Sequence, residues 1–368
     1  MTTAPRLTIN LSAIVENWKL LAEKSGMAEA SAVIKANAYG LGIEQVAERL
    51  SGAGCNTFFV ALAEEGVRVR SVAPDARIFV LNGIIRDTVE MITEHDLAPV
   101  LSSMDQIAMW VAAGSGRPSA IHVDTGMNRL GLSVAEAELL AQNNTMVARS
   151  GAKALMSHLS CADEPDHELN ALQLSRFTRV SRMFPGLEMS LANSAAILSN
   201  TEMQFDLTRP GIAIFGGEAV NNLANPMQTV VTAKARILQV RDGKKGETVG
   251  YGAAHTLGRD SKIAICSAGY ADGFHRASSG AGVPLRETGS SGGAGAIGDN
   301  RVPVLGRVSM DLTAFDVTDV PPADIEATSY IELFGSNISL DEAARSCGTI
   351  GYELLTGLGS RYIREYVY

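Results

Sequence analysis

Lys35 ends the apolar run Ala32-Val33-Ile34, and Ala36-Asn37-Ala38-Tyr39-Gly40 follows it. A lysine in that position is costly to bury as a cation. Desolvation lowers its pKa, and the neutral amine is a nucleophile able to form an imine with an aldehyde. A lone lysine at a strand end more often snorkels to water, so its company decides. Asn193-Ser194-Ala195-Ala196 reads as the start of a short helix, and Arg209-Pro210-Gly211-Ile212 follows another apolar run. A hydroxyl, a glycine that lets backbone N–H groups approach closely, and a helix start are the parts of a phosphate cradle. By itself Ser194 would be a plain N-cap.

Three further places could carry chemistry. Arg129 stands in Asp124-Thr-Gly-Met-Asn-Arg129-Leu-Gly, and its planar fork suits a carboxylate or a phenolate. His158 ends an apolar run and could stack on an aromatic ring, although a lone buried histidine is more often structural. Ala268-Gly-Tyr270-Ala-Asp-Gly273 sets a tyrosine in a glycine-flanked turn. Tyr270 would act as a general acid/base if a neighbour lowered its pKa. Gly306-Arg-Val-Ser-Met310-Asp311 could offer backbone donors, Met310 among them.

These residues need a scaffold that brings them to one place. Short β-rich runs are expected at Ala32–Lys35, Thr57–Ala61, Ala76–Leu81, Ala98–Leu101, Ala120–Val123, Ala154–Leu159, Glu188–Leu191 and Phe205–Leu207. Helical spacing separates them, as in Ile107 to Ala113 and in Leu169, Leu172, Phe177, Val180 and Met183. Leu11, Ile14, Val15, Trp18 and Leu21 mark a first amphipathic helix. Eight strands alternating with helices suit a TIM-like (β/α)8 barrel or a large open sheet. The barrel is favoured because Lys35, His158, Ser194 and Arg209 all fall at or just beyond the C-terminal ends of expected strands 1, 6, 7 and 8. In an open sheet, strands 1 and 8 would lie too far apart to share a ligand.

After about residue 226 the pattern changes. Val230–Val240, Lys262–Ala268, Val302–Val308 and Tyr330–Phe334 are β-like runs. Helices are expected at Asp341–Ser346 and Tyr352–Thr356, with Ser339 and Glu342 as a capping box for the first. The expected organisation is a barrel domain over 1–226 and a mainly β domain over 227–368. Ala277–Asp299, with its GSSGGAG, reads as a mobile surface loop.

The chain of 368 residues carries a net charge of −9, which argues against nucleic-acid and anionic-membrane partners. The N-terminus lacks a signal-peptide pattern, and no apolar run approaches membrane-spanning length. The four cysteines form no CxxC pair, hence neither a zinc pattern nor a disulfide framework. A cytoplasmic protein with reduced thiols and no metal is expected.

Taken together, AVIKANAYGLG, VDTGMNRLG, His158, LANSAA, TRPGIAIFG, GYADG, GRVSMD and Tyr352-Glu353 resemble the alanine racemase family of fold-type III pyridoxal-phosphate (PLP) enzymes. The resemblance covers essentially the whole chain in order. It implies that Lys35 carries PLP as a Schiff base and is the base toward D-alanine, with Tyr270 the base toward L-alanine. Tyr39, Ser194, Gly211, Ile212 and Tyr352 would hold the phosphate, Arg209 would face the pyridine nitrogen, and His158 would serve the ring. Arg129 and the Met310 backbone would meet the substrate carboxylate. The resemblance further implies a homodimer in which Tyr270 serves the other subunit's site, and a role in supplying D-alanine for peptidoglycan. Two departures stand out. Many relatives carry a carbamylated lysine where this chain has His122, and often a gate tyrosine in a stretch that here, over Arg276–Val308, has none. A broader-specificity amino-acid racemase and a non-catalytic PLP-binding protein are the alternatives; a PLP decarboxylase fits less well, since it would normally offer an acid where this chain has Arg209.

Overall fold

The computed structural model describes residues 2–114 and 116–368. By contacts the chain divides into two compact units, one of residues 14–214 with 218–227, the other of residues 2–13, 215–217 and 228–368.

In the first unit, seven strands pair in parallel in sequence order: β1 (Ala32–Val33), β2 (Thr57–Val60), β3 (Arg77–Val80), β4 (Ala98–Leu101), β5 (Ser119–His122), β6 (Ala152–Met156) and β7 (Glu188–Ser190). An eighth, β8 (Leu207–Thr208), pairs in parallel with the short strand Glu29–Ala30. Helices alternate with these strands, among them Ala63–Val72, Met104–Gly114 and Glu168–Ser181. The first helix runs Leu11–Lys24. Each strand falls on or within two residues of an expected β-rich run, because those runs are near-continuously apolar, as parallel strands buried on both faces require.

The sheet is strongly curled. Val33, Phe59, Phe79, Ala98, Val100, Ala120, Ala154, Met156 and Leu207 form one buried cluster, drawn from β1 to β6 and from β8. At the other end Arg77, on β3, bonds both Glu29 at 2.5 Å and Glu188, on β7, at 2.6 Å. In a flat sheet β3 and β7 would lie about 19 Å apart, four inter-strand spacings. Arg77→Met is therefore expected to leave two carboxylates facing each other. The groups are about a third exposed, so the loss is screened to about 1 kcal/mol. A melting temperature lowered by a few degrees at low salt, with the difference shrinking at high salt, is the expected observation.

The second unit is built on one sheet. Its backbone is the long strand Val231–Gly243, which pairs with Tyr330–Phe334 along its first half and with Ser261–Cys266 along its second. Register shifts at Ala233/Lys234 and at Ile237/Gln239 bend it. Thr313–Asp316, Asn300–Leu305 and Ala294–Ile297 complete a ring of six strands. The expected boundary puts the chain's start with the barrel, but Arg6–Asn10 is a strand of this second sheet. It lies antiparallel to Val231–Lys234 and parallel to Ile363–Val367. Helices occupy Leu340–Ser346 and Gly351–Thr356, and the Glu342 amide donates to the Ser339 hydroxyl.

The glycine-rich stretch departs from expectation. It is not simply a surface loop: Ala294–Ile297 lies between Asn300–Leu305 and Tyr330–Phe334, with Ala296 and Ile297 buried. A Cβ on Gly295 would come within 2.4 Å of the Ile331 side chain. Glycine here permits close packing rather than mobility.

Candidate active site

The polar groups gather at the C-terminal ends of the parallel strands, where α/β folds place ligands. After β1 the backbone turns abruptly. Ala36, Asn37, Ala38 and Tyr39 all take φ between 53° and 57°, a single turn of left-handed helix closed by Ala38 N–H to Ile34 O and Gly40 N–H to Ala36 O, both 2.8 Å. None of the four is glycine, and the conformation costs about 1–2 kcal/mol for each, somewhat less for asparagine. Strain of that size marks functional sites.

This turn sends Lys35 and Tyr39 to different tasks. Lys35 is half-buried. Burial, reinforced by Arg129 and opposed by Glu65, pulls its amine below the ordinary lysine range. Tyr39 is buried, and its hydroxyl reaches the backbone after β8: a Cβ on Gly211 would lie 2.5 Å from Tyr39 Oη. Gly211 N–H donates to Ser194 Oγ at 2.8 Å. The two hydroxyls and the Gly211-Ile212 backbone thus converge on one spot, and a side chain at 211 would fill it.

Arg209 is buried, with no carboxylate partner among the described residues. Its Nη1 donates to Ser190 Oγ and its Nη2 to Ser157 O, both at 2.5 Å, with Leu191 O at 3.3 Å. The guanidinium lies over the Phe59 ring, 6.0 Å from its centroid. Burial brings its pKa down to about 9, so it stays a cation at neutral pH. His158 follows β6. Burial first, then Arg209 and Arg129, hold it well below the usual histidine value, so it is a neutral ring. Gln173, from helix Glu168–Ser181, fixes it by donating to His158 O at 2.9 Å and accepting from Ser160 N–H at 2.9 Å.

Arg129 sits in the loop after β5. Asp124 Oδ1 accepts from the Gly126 and Met127 amides, and Arg176 donates to Thr125 O. Arg129 itself is exposed and has no hydrogen-bond partner among the described residues. It is therefore free to receive an anionic ligand.

Alanine racemase family profiles match both halves of the chain, the N-terminal domain over residues 9–219 and the C-terminal domain over 230–366. The chain belongs to the alanine racemase family. It is 52% identical to the biosynthetic alanine racemase of Agrobacterium fabrum over 98% of this chain and 93% of that one. It is 50% identical to the alanine racemase of Rhizobium meliloti over 100% and 98%. Among solved structures it superposes with a TM-score of 0.90 on the alanine racemase of Bartonella henselae, which carries covalently bound pyridoxal phosphate, at 34% identity and full coverage of both chains.

Where family relatives are expected to carry a carbamylated lysine, His122 is buried, its Nδ1 3.5 Å from Ser102 Oγ. Burial, with Arg209 the next cause, brings its pKa down to about 4. A neutral imidazole supplies no anion to orient Arg129. The four thiols are free, with Cys55 and Cys266 buried and pushed up to about 12.

Three expected site residues lie in the second unit. Tyr270 opens a short turn after strand Ser261–Cys266. Its N–H donates to Ser309 O at 3.1 Å, and Ala271 N–H donates to Met310 O at 3.0 Å, so Tyr270 and Met310 are neighbours. Both are exposed, at 43% and 53%. Tyr352 lies on helix Gly351–Thr356 and is also exposed. Sequence reasoning missed what holds these loops. Arg361 forks onto both oxygens of buried Asp272, at 2.7 and 2.9 Å, and reaches Asp311 at 2.7 Å. It ties the Tyr270 turn to the Met310 loop, and nothing in the local sequence around Arg361 signals a partner so far away. Glu65 was missed as well, since on sequence it is one more acid in a helix.

Proposed function

We propose that this chain is an alanine racemase that uses PLP held by Lys35 and interconverts the alanine enantiomers with two bases. The observation that carries the reading is the meeting of Tyr39 Oη, Ser194 Oγ and the Gly211 backbone beside a half-buried lysine with a depressed pKa. Hydroxyls and a backbone that only glycine leaves open suit a phosphate in chemistry, and the lysine suits an aldehyde. Tyr39, Ser194, Gly211 and Ile212 would hold the phosphate, with Tyr352 from the second unit. His158 would lie against the ring and Arg209 would face its nitrogen. We read the curled sheet as a closed (β/α)8 barrel. In support, β8 bonds on both sides: Asp206 N–H donates to Met189 O, while Glu29, Ser31 and Val33 amides donate to Asp206 O, Thr208 O and Pro210 O. The domain division is then the barrel of about 1–226 and the β domain of about 227–368, with strand Arg6–Asn10 lent to the latter.

Bound PLP supplies an electron sink that acidifies the Cα–H of an amino acid. The chain's residues supply the rest. Arg129 and the Met310 backbone take the substrate carboxylate. Lys35 moves a proton at Cα on the D face, and the Tyr270 hydroxyl does so on the L face. Arg209, already a cation with its terminal nitrogens engaged, opposes a proton on the pyridine nitrogen. This restrains the sink and disfavours transamination. We further propose a homodimer in which Tyr270 serves the partner's site. The exposure of Tyr270, Met310, Leu312 and Tyr352 on one unit supports it. No helix among the described residues is long and apolar enough to cross a membrane, and we place the enzyme in the cytoplasm, making D-alanine for peptidoglycan.

The test is a coupled assay with purified protein, added PLP and L-alanine, run beside serine, lysine and arginine. D-alanine formation well above the other products is expected; equal rates would favour a broad-specificity racemase, and no turnover a non-catalytic binder. In borohydride-reduced protein, the pyridoxyl mass should map to Lys35, and a label elsewhere would overturn the cofactor assignment.

A further inference from the structure

We propose that Glu65 is a positioning residue that clamps the left-handed turn Ala36–Tyr39 to the helix Ala63–Val72, and so sets Lys35 and Tyr39 in their working relation. This rests on the reading that Lys35 and Tyr39 hold PLP.

Glu65 is buried. One of its oxygens accepts from Asn37 N–H at 2.9 Å; the other accepts from Ala61 N–H at 2.9 Å and Leu62 N–H at 3.2 Å. The carboxylate thus has two jobs. Through Oε2 it caps its own helix, an ordinary role for a third-position glutamate. Through Oε1 it reaches 28 residues back to the middle of the strained turn. Asn37 is held from its side chain too. Its Oδ1 accepts from Ile43 N–H at 3.1 Å and from Arg68 Nη2 at 2.9 Å, and Arg68 is itself fixed by Glu44. Asn37 is the one residue of the four that tolerates the left-handed region readily. The clamp grips the turn at that residue, and the alanines and tyrosine on either side are held in place by it. Strained backbone persists only where its surroundings over-determine it. Lys35 precedes the turn and Tyr39 ends it, so any unwinding changes the distance from the cofactor-binding amine to the phosphate-binding hydroxyl.

Glutamine at 65 separates the two jobs. Its single carbonyl oxygen does best facing Ala61 and Leu62, where two donors wait, and its NH2 then faces the Asn37 N–H, donor against donor. The experiment is amide hydrogen exchange by mass spectrometry on PLP-free wild-type and Glu65→Gln protein. Exchange across residues 36–42 should speed by about tenfold or more while residues 63–72 change little. In the reconstituted enzyme, PLP affinity should fall by about tenfold, more than KM for alanine rises. Equal loosening of both segments, or none at 36–42, would mean that Glu65 is only a helix cap. If Glu65→Gln gives no folded protein, Ala36→Gly in the same background decides. Glycine makes φ near +53° acceptable, so recovery of folded, PLP-binding protein supports the clamp and no recovery overturns it. The exchange result does not depend on turnover and stands even if the racemase reading fails.

Discussion

Lys35→Ala should abolish racemisation in both directions, by at least roughly 10⁴-fold, while leaving a folded protein. The fold should survive because Lys35 is half-buried beside Arg129 and its removal relieves a desolvated cation. Activity should not, because the proposed mechanism gives Lys35 two functions that go together: the covalent hold on PLP and the base on one face of Cα. Lys35→Arg separates charge from chemistry. Arginine keeps the cation but cannot become a neutral amine at working pH, so it should be as inactive as alanine. Added small primary amines should restore part of the activity of Lys35→Ala and none to Lys35→Arg, where the guanidinium fills the space. The measurement is the rate of D-alanine formation with PLP saturating. Activity of Lys35→Ala within tenfold of wild type would remove Lys35 from the mechanism.

Much of this site could be read along the chain because its parts are local. A strand end, a following hydroxyl and a following glycine are neighbours in sequence, so Lys35, Ser194, Arg209 and Gly211 could be picked out as candidates by spacing, and the structure brings Ser194 and Gly211 together. The parallel strands were equally plain, since their apolar runs are bounded by helical spacing. What stayed hidden depends on long-range pairing. Arg6–Asn10 is five residues of unremarkable alternation, and it becomes a strand only against Val231–Lys234 and Ile363–Val367. Ala294–Ile297 was masked by the flexibility that glycine-rich composition implies; close packing on Ile331 is a property of the partner strand. The left-handed turn was the least legible. Lys-Ala-Asn-Ala-Tyr contains residues with ordinary right-handed preferences, alanine the strongest of them. Only Asn37 and Gly40 hint at the opposite hand, and the carboxylate that holds the turn stands 28 positions later.

Tyr270→Phe should produce a result whose symmetry is as informative as its size. Removing one hydroxyl takes away the base proposed for the L face, and net racemisation should then fall by roughly 10²–10⁴-fold. The two enantiomers have equal free energy in water, so the equilibrium constant is one. The ratio of kcat/KM in the two directions is therefore fixed at one for any variant. Tyr270→Phe must slow L-to-D and D-to-L equally, and an assay of net turnover cannot tell which face lost its base. Solvent exchange can. In D2O, D-alanine should still lose its Cα–H signal without inversion, because Lys35 can take the proton and return a deuteron to the same face. L-alanine should keep its Cα–H, because the proposed mechanism assigns that proton to the missing hydroxyl. The loops around Tyr270 should be undisturbed, since the turn is held by backbone bonds to Ser309 and Met310 and by Arg361 on Asp272, none of which uses the phenol. PLP binding and the melting temperature should therefore stay near wild type. Proton NMR of each enantiomer, run separately, reads the outcome. Exchange lost from D-alanine instead would swap the faces assigned to Lys35 and Tyr270, and exchange kept on both would take Tyr270 out of the proton transfer.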